Sequence, residues 1–132
     1  MRKNKGEGMT YNRALNNYNQ MNINIDRPEK LILMLYEGAL RFANFAKKAI
    51  KEGNIEDKVK YIIKTSNIFI ELINSLDFEK GGNVSYYLNG LYAYQLELLA
   101  KANMEDNTEY LDDVVRVLKG LIEAWKEETG IS

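Results

Sequence analysis

Any acid–base, nucleophilic or metal chemistry in this chain falls to carboxylates, hydroxyls and amines, because its 132 residues contain no histidine and no cysteine. That excludes imidazole general bases, thiolate nucleophiles, disulfides and ordinary serine–histidine triads. It also excludes zinc sites built on His or Cys, the Glu-x-x-His pairs of di-iron bundles and phosphotransfer through histidine. A magnesium or calcium site made of carboxylates alone stays formally open, but no EF-hand spacing is present and few acidic residues fall at inward positions. The sharpest carboxylate pair is Asp77 with Glu79. Followed by Lys80, Gly81 and Gly82, it reads as a helix-capping, charge-pairing loop rather than a catalytic dyad. No catalytic residue, no metal and no cofactor is expected.

The elements that would position these side chains are all helical. Pro28 is the one proline, and Asp26 before it is placed to cap a helix that opens with Pro28 and Glu29 and runs to about Glu52. Gly53-Asn54 ends that helix, as a left-handed cap would. A second helix is expected from Ile55 to Asp77, carried by Val59, Ile62, Ile63, Phe69, Ile70, Ile73 and Leu76 at a 3.6-residue period. Gly81-Gly82 breaks the chain, with one of the two glycines expected at positive φ, and Asn83 is a candidate cap for a third helix. Asn107 or Thr108 starts a fourth, whose apolar stripe includes Leu111, Val114, Val115, Leu118 and Trp125 and which ends near Glu128. Ahead of all four, Leu15, Tyr18 and Met21 recur at helical spacing in an asparagine-rich stretch that makes only a marginal helix. The fold class is therefore all-α: an antiparallel up-down four-helix bundle with a short additional N-terminal helix.

A length of 132 residues fits one domain, read here as residues 9–128, preceded by a flexible basic tail at residues 1–8; Met9 is an alternative start. Apolar residues make up 45% and charged residues 28%, the balance of a soluble globular protein. No apolar run is long enough for a membrane helix and no signal-peptide core follows Met1, so membrane insertion is not expected and the cytoplasm is the expected compartment. Net charge is −1, with Lys and Glu intermixed and no basic face, which argues against nucleic acid as a partner.

What the bundle has in excess is apolar surface. A core-facing helix needs a stripe a little over ~100° wide, and the first two long helices exceed it. Leu33, Met34 and Leu40 lie outside the narrowest stripe of the first, and Tyr61, Ile68 and Leu72 outside that of the second. The third adds Tyr86, Tyr87, Tyr92 and Tyr94, more hydroxyls than a dry core takes easily. Wide core faces with tyrosines at the rim would account for each residue singly. Together they suit a groove that receives an amphipathic helix, either the chain's own Met9–Met21 segment or a partner's. Leu33, Tyr36, Ile63, Ile70, Tyr87 and Tyr94 are the candidate groove residues. A bundle that self-associates through the same surface, as a structural or adaptor protein, is the alternative.

Pro28-Glu29-Lys30-Leu31-Ile32-Leu33-Met34-Leu35-Tyr36-Glu37-Gly38-Ala39-Leu40 and Leu76-Asp77-Phe78-Glu79-Lys80-Gly81-Gly82 resemble, respectively, the opening helix of the FliS family of flagellar secretion chaperones and the loop between that family's second and third long helices. Leu91-Tyr92-Ala93-Tyr94, Leu99 through Ala102-Asn103 and the Trp125-Lys126 ending follow in the family's order. Ile25-Asp26-Arg27-Pro28 departs from the family's Thr-Ala-Ser-Pro-like opening. The resemblance implies a helical bundle that holds flagellin in the cytoplasm, binding its disordered C-terminal segment as helices. It further implies that the bundle blocks premature polymerisation and presents the complex to the flagellar export apparatus, as a monomer binding one flagellin. It also implicates Tyr18 in partner binding, with Leu15 and Met21 on the same face.

Overall fold

A computed structural model describes residues 27–131, which form α1 (Pro28–Glu52), α2 (Ile55–Asn74), α3 (Phe78–Glu105) and α4 (Thr108–Thr129). The expected N-terminal helix, with Leu15, Tyr18 and Met21, lies outside the described residues.

The helix ends follow from a few side chains. Pro28 takes the first helical position of α1, and the cap is the extended Arg27. The Arg27 carbonyl accepts from the Lys30 and Leu31 amides at 3.1 and 3.3 Å, without a side-chain cap. The cap therefore falls one residue after Asp26, itself outside the described residues. Gly53 closes α1 in the left-handed region at φ 70°, where a Cβ would be disfavoured. Asn54 starts α2 by accepting from the Asp57 amide at 3.1 Å, and Asn107 starts α4 by accepting from the Glu109 amide at 2.8 Å.

The α2–α3 connection corrects the sequence expectation. Helix α2 stops at Asn74, not Asp77. Asp77 caps α3 by accepting from the Glu79 and Lys80 amides at 3.0 and 3.1 Å, so helical residues begin at Phe78 rather than at Asn83. The expected break survives as a kink: Gly82 stands at φ 52°, ψ −130° between two helical stretches. The Ser85 hydroxyl, donating to the Asp77 carbonyl at 2.9 Å, ties the second stretch back to the cap.

Each helix packs against two others, α1 and α3 each lying between α2 and α4. Three contacts fix the directions. Lys47 near the end of α1 pairs with Asp112 in the first turns of α4 at 2.6 Å. At the opposite end the Trp125 indole N–H donates to the Glu29 carbonyl at 2.8 Å. Lys58 in the first turn of α2 donates to the Asn103 carbonyl at 2.9 Å and to Asp106 at 2.7 Å, where α3 ends. Neighbours in sequence therefore run antiparallel around one core. That core takes the fully buried Ala39, Ala43 and Ala46 from α1, whose small side chains leave room for Phe69 and Leu72 of α2, Leu99 of α3 and Leu111 and Leu118 of α4.

Candidate partner-binding surfaces

The tyrosines of the described helices include a buried pair and an exposed set, separated by helix phase. Tyr36 of α1 and Tyr92 of α3 are each 2% exposed, and their hydroxyls meet at 2.6 Å across the core. Trp125 stands edge-on to Tyr36, ring centres 6.2 Å apart, and Phe69 lies 6.0 Å from Tyr92. Burial pushes both phenols above their ordinary value; the mutual hydrogen bond partly opposes the rise at Tyr36 and adds to it at Tyr92. A buried hydroxyl pair of this kind satisfies two polar groups inside an otherwise apolar core.

The six groove candidates on the described helices do not form one groove. Tyr36 belongs to the core, since its position on α1 faces Tyr92 and Trp125 and its hydroxyl has a partner there. Leu33 is buried as well, though not within the contiguous core cluster. Ile63 and Ile70 are exposed on α2, and Tyr87 and Tyr94 are exposed on α3 at 66% and 53%.

Two apolar stripes result. On α2, Ile55, Val59, Ile63 and Ile70 follow one another at spacings of four, four and seven residues, which at 3.6 residues per turn is a single face. All four are exposed, Ile55 by 69%, and they lie on the flank opposite Tyr61, which packs against α1. On α3, Val84, Tyr87, Leu91 and Tyr94 share a face at spacings of three, four and three, turned away from the contacts that Tyr92 and Asn103 make with α2. Sequence reading put Val59, Ile63 and Ile70 on one periodic line with Ile62 and Phe69 and named Ile63 and Ile70, but not Ile55, Val59 or Val84, as candidate surface residues. The spacing from Ile55 through Val59 to Ile63 was the available signal.

Nothing about these stripes suits catalysis. Among the described residues no cluster of three acidic side chains is arranged to hold a metal, and Asp77 spends a carboxylate oxygen on the α3 cap. No described helix is long and apolar enough to cross a membrane.

Residues 11–130, nearly the whole chain, match the family of the flagellar protein FliS. The chain belongs to the FliS family. It is 51% identical over 119 residues to the flagellar secretion chaperone FliS of Campylobacter jejuni, covering 90% of this chain and 93% of that one. It is also 33% identical over 110 residues to the flagellar secretion chaperone FliS of Bacillus subtilis, covering 83% and 81%, and 31% identical over 100 residues to that of Vibrio cholerae, covering 76% and 74%. The FliS match takes in all four described helices and also the segment carrying Leu15, Tyr18 and Met21. For a FliS-family bundle the meaningful features are therefore surfaces, not an active site, and the exposed stripes of α2 and α3 are two apolar surfaces that a client could cover.

Proposed function

We propose that this protein is a cytoplasmic flagellar secretion chaperone that binds the disordered C-terminal segment of flagellin as helices, keeps it from polymerising early and delivers it to the export apparatus. The observation that carries this reading, beside membership of the FliS family, is the α2 stripe of Ile55, Val59, Ile63 and Ile70 held in water on a well-capped helix. An amphipathic client helix laid along it buries apolar surface on both partners, and each large anchor side chain contributes roughly 1.5–3 kcal/mol. Ordering a disordered client offsets part of that gain. The α3 stripe of Tyr87 and Tyr94 offers a second seat, so one client chain with two helices would cover both. The face of Leu15, Tyr18 and Met21 takes part in the same binding. Release occurs by handover at the export apparatus, and the complex holds one chaperone and one flagellin.

The test is a titration with roughly the last 40 residues of the source organism's flagellin, followed by calorimetry and circular dichroism. One-to-one binding with a gain in helix and a negative heat-capacity change is the expected outcome. No heat at tens of micromolar, together with concentration-dependent growth in the particle size of the chain alone, would replace the chaperone with a self-associating adaptor.

A further inference from the structure

The flank of α2 opposite the aliphatic stripe has a different chemistry. Positions 41, 45, 48 and 52 form one ridge of α1 and positions 57, 61 and 64 one ridge of α2, both at helical spacing. Between them Phe42 stacks on Tyr61, ring centres 6.0 Å apart and 25° between planes, and Phe45 tilts onto the same ring at 5.0 Å. Cations surround this floor. The Arg41 guanidinium and the Lys64 ammonium stand 5.5 and 5.4 Å from the Phe42 ring centre, and Lys60 stands 5.1 Å from that of Tyr61. A cleft of about 230 Å³ opens beside the rings, with Lys48 on one side and Glu52 and Asp57 at the end nearest the α1–α2 turn.

The cations on this face form no ion pair among the described residues. Lys47, Lys58, Arg116 and Lys126 each have a carboxylate within ion-pair distance, whereas Arg41, Lys48, Lys60 and Lys64 have none among the described residues. Set against Glu52 and Asp57, the four cations still leave this face net positive, which favours a ligand of opposite sign. Residues 1–26 of the chain have the wrong sign, carrying Arg2, Lys3, Lys5 and Arg13 against Glu7 and Asp26. Glu52 and Asp57 at one end, and a concave aromatic floor, fit a shaped protein segment better than a polyanion or a flat lipid surface. From position 41 to position 52 the ridge is about 16 Å long, the length of roughly three helical turns.

We propose that the outer α1–α2 groove, an aromatic floor of Phe42, Phe45 and Tyr61 ringed by Arg41, Lys60 and Lys64, docks an acidic amphipathic helix of a second protein. The client's apolar side chains enter the cleft beside Tyr61 and its carboxylates face the cations. Because Ile55, Ile63 and Ile70 lie on the other flank of α2, this groove can be filled while the aliphatic stripe is occupied, and the proposal does not depend on the flagellin reading.

The test uses the full chain, isotope-labelled, titrated with two end-blocked amphipathic peptides of roughly 15 residues that share one Leu/Phe face. One carries Glu and the other Lys on its polar flanks. The Glu peptide is expected to shift amide signals of α1 and α2 around positions 41–64 saturably. Its affinity should fall about tenfold in the double variant Arg41→Glu/Lys64→Glu and on raising salt from about 50 to about 300 mM, and stay unchanged in Ile63→Asp. The neutral pair Arg41→Gln/Lys64→Gln should give an intermediate loss, with unchanged helix content showing that both variants fold. Equal binding of the Lys peptide, shifts confined to the Ile63 flank, or no saturation would overturn the proposal. So would salt-sensitive self-association abolished by the double variant, which would make the occupant a second copy, or tighter binding to phosphatidylglycerol vesicles than to the Glu peptide.

Discussion

Tyr92 and Tyr94 are two residues apart on α3 and have opposite fates. Tyr92 is sealed in the core with its hydroxyl on Tyr36, and Tyr94 stands half in water beside Tyr87 on the outer face. At 100° per residue the two positions point to opposite sides of the helix, so phase separates them and residue type does not. Burial of a tyrosine also requires a partner for its hydroxyl, and only position 36 on α1 brings one within 2.6 Å of Tyr92. The exposed pair meets no such demand and leaves two aromatic faces available for a client. One residue type thus serves as structural cement at one phase and as contact surface at another.

The strongest way to break this contrast is to truncate both kinds of tyrosine. Tyr92→Ala should cost about 3–5 kcal/mol of unfolding free energy, since it opens a cavity against Phe69 and Tyr36 and orphans a hydroxyl. Tyr94→Ala should stay within about 0.5 kcal/mol. Urea unfolding of the two variants measures both, and comparable losses would mean that the outer face is part of the core after all.

A finer test separates the hydroxyl bond from the rings. Tyr36→Phe and Tyr92→Phe should each cost about 1–3 kcal/mol, because each leaves a buried hydroxyl unpaired, while the double variant should cost clearly less than their sum. Alkaline unfolding gives an independent reading. Both buried phenols have folded-state values raised above the ordinary 10.0. Below about pH 10 their contribution to stability is fully present; above it the unfolded chain loses protons that the folded chain keeps, and stability falls by up to about 1.4 kcal/mol per pH unit for each tyrosine. The doubly substituted bundle should lose that slope, and a slope identical to the parent's would place the alkaline transition elsewhere.

How far the sequence reveals this arrangement is clearest on α2. Gly53, Asn54 and Asn107 mark helix ends by chemistry that operates within a few residues, so those ends could be read directly. The core line of α2 could not. It runs Lys58, Ile62, Thr65, Phe69, Leu72, and two of its five members are polar, which an apolar pattern passes over. Lys58 is buried because the end of α3 supplies Asp106 and the Asn103 carbonyl, and Thr65 because its hydroxyl donates to the Tyr61 carbonyl at 2.7 Å. With those positions skipped, the exposed Val59, Ile63 and Ile70 fall into one apparent line with the buried Ile62 and Phe69, and periodicity alone does not separate the two faces. Tyr36 was misplaced for a related reason: its hydroxyl partner is 56 residues away, and no local pattern announces it. The break at Gly82 was legible, but the short helical stretch that Asp77 caps ahead of it was not, because four residues carry no periodic signal.

The exposed stripe of α2 supplies the gentlest perturbation. Ile63→Asp places a carboxylate on a side chain already half in water, so unfolding free energy should change by less than about 0.5 kcal/mol. Binding of the flagellin segment should nonetheless weaken by about tenfold or more, because a charge would have to be desolvated beneath an apolar client helix. Phe69→Ala reverses the pattern: it destabilises the bundle without altering either stripe, so the fraction that remains folded should bind with near-parental affinity. Calorimetry on both variants at a temperature where each is folded makes the comparison. If Ile63→Asp binds like the parent while Tyr87→Ala and Tyr94→Ala do not, the client sits on α3 and the α2 stripe belongs to another partner.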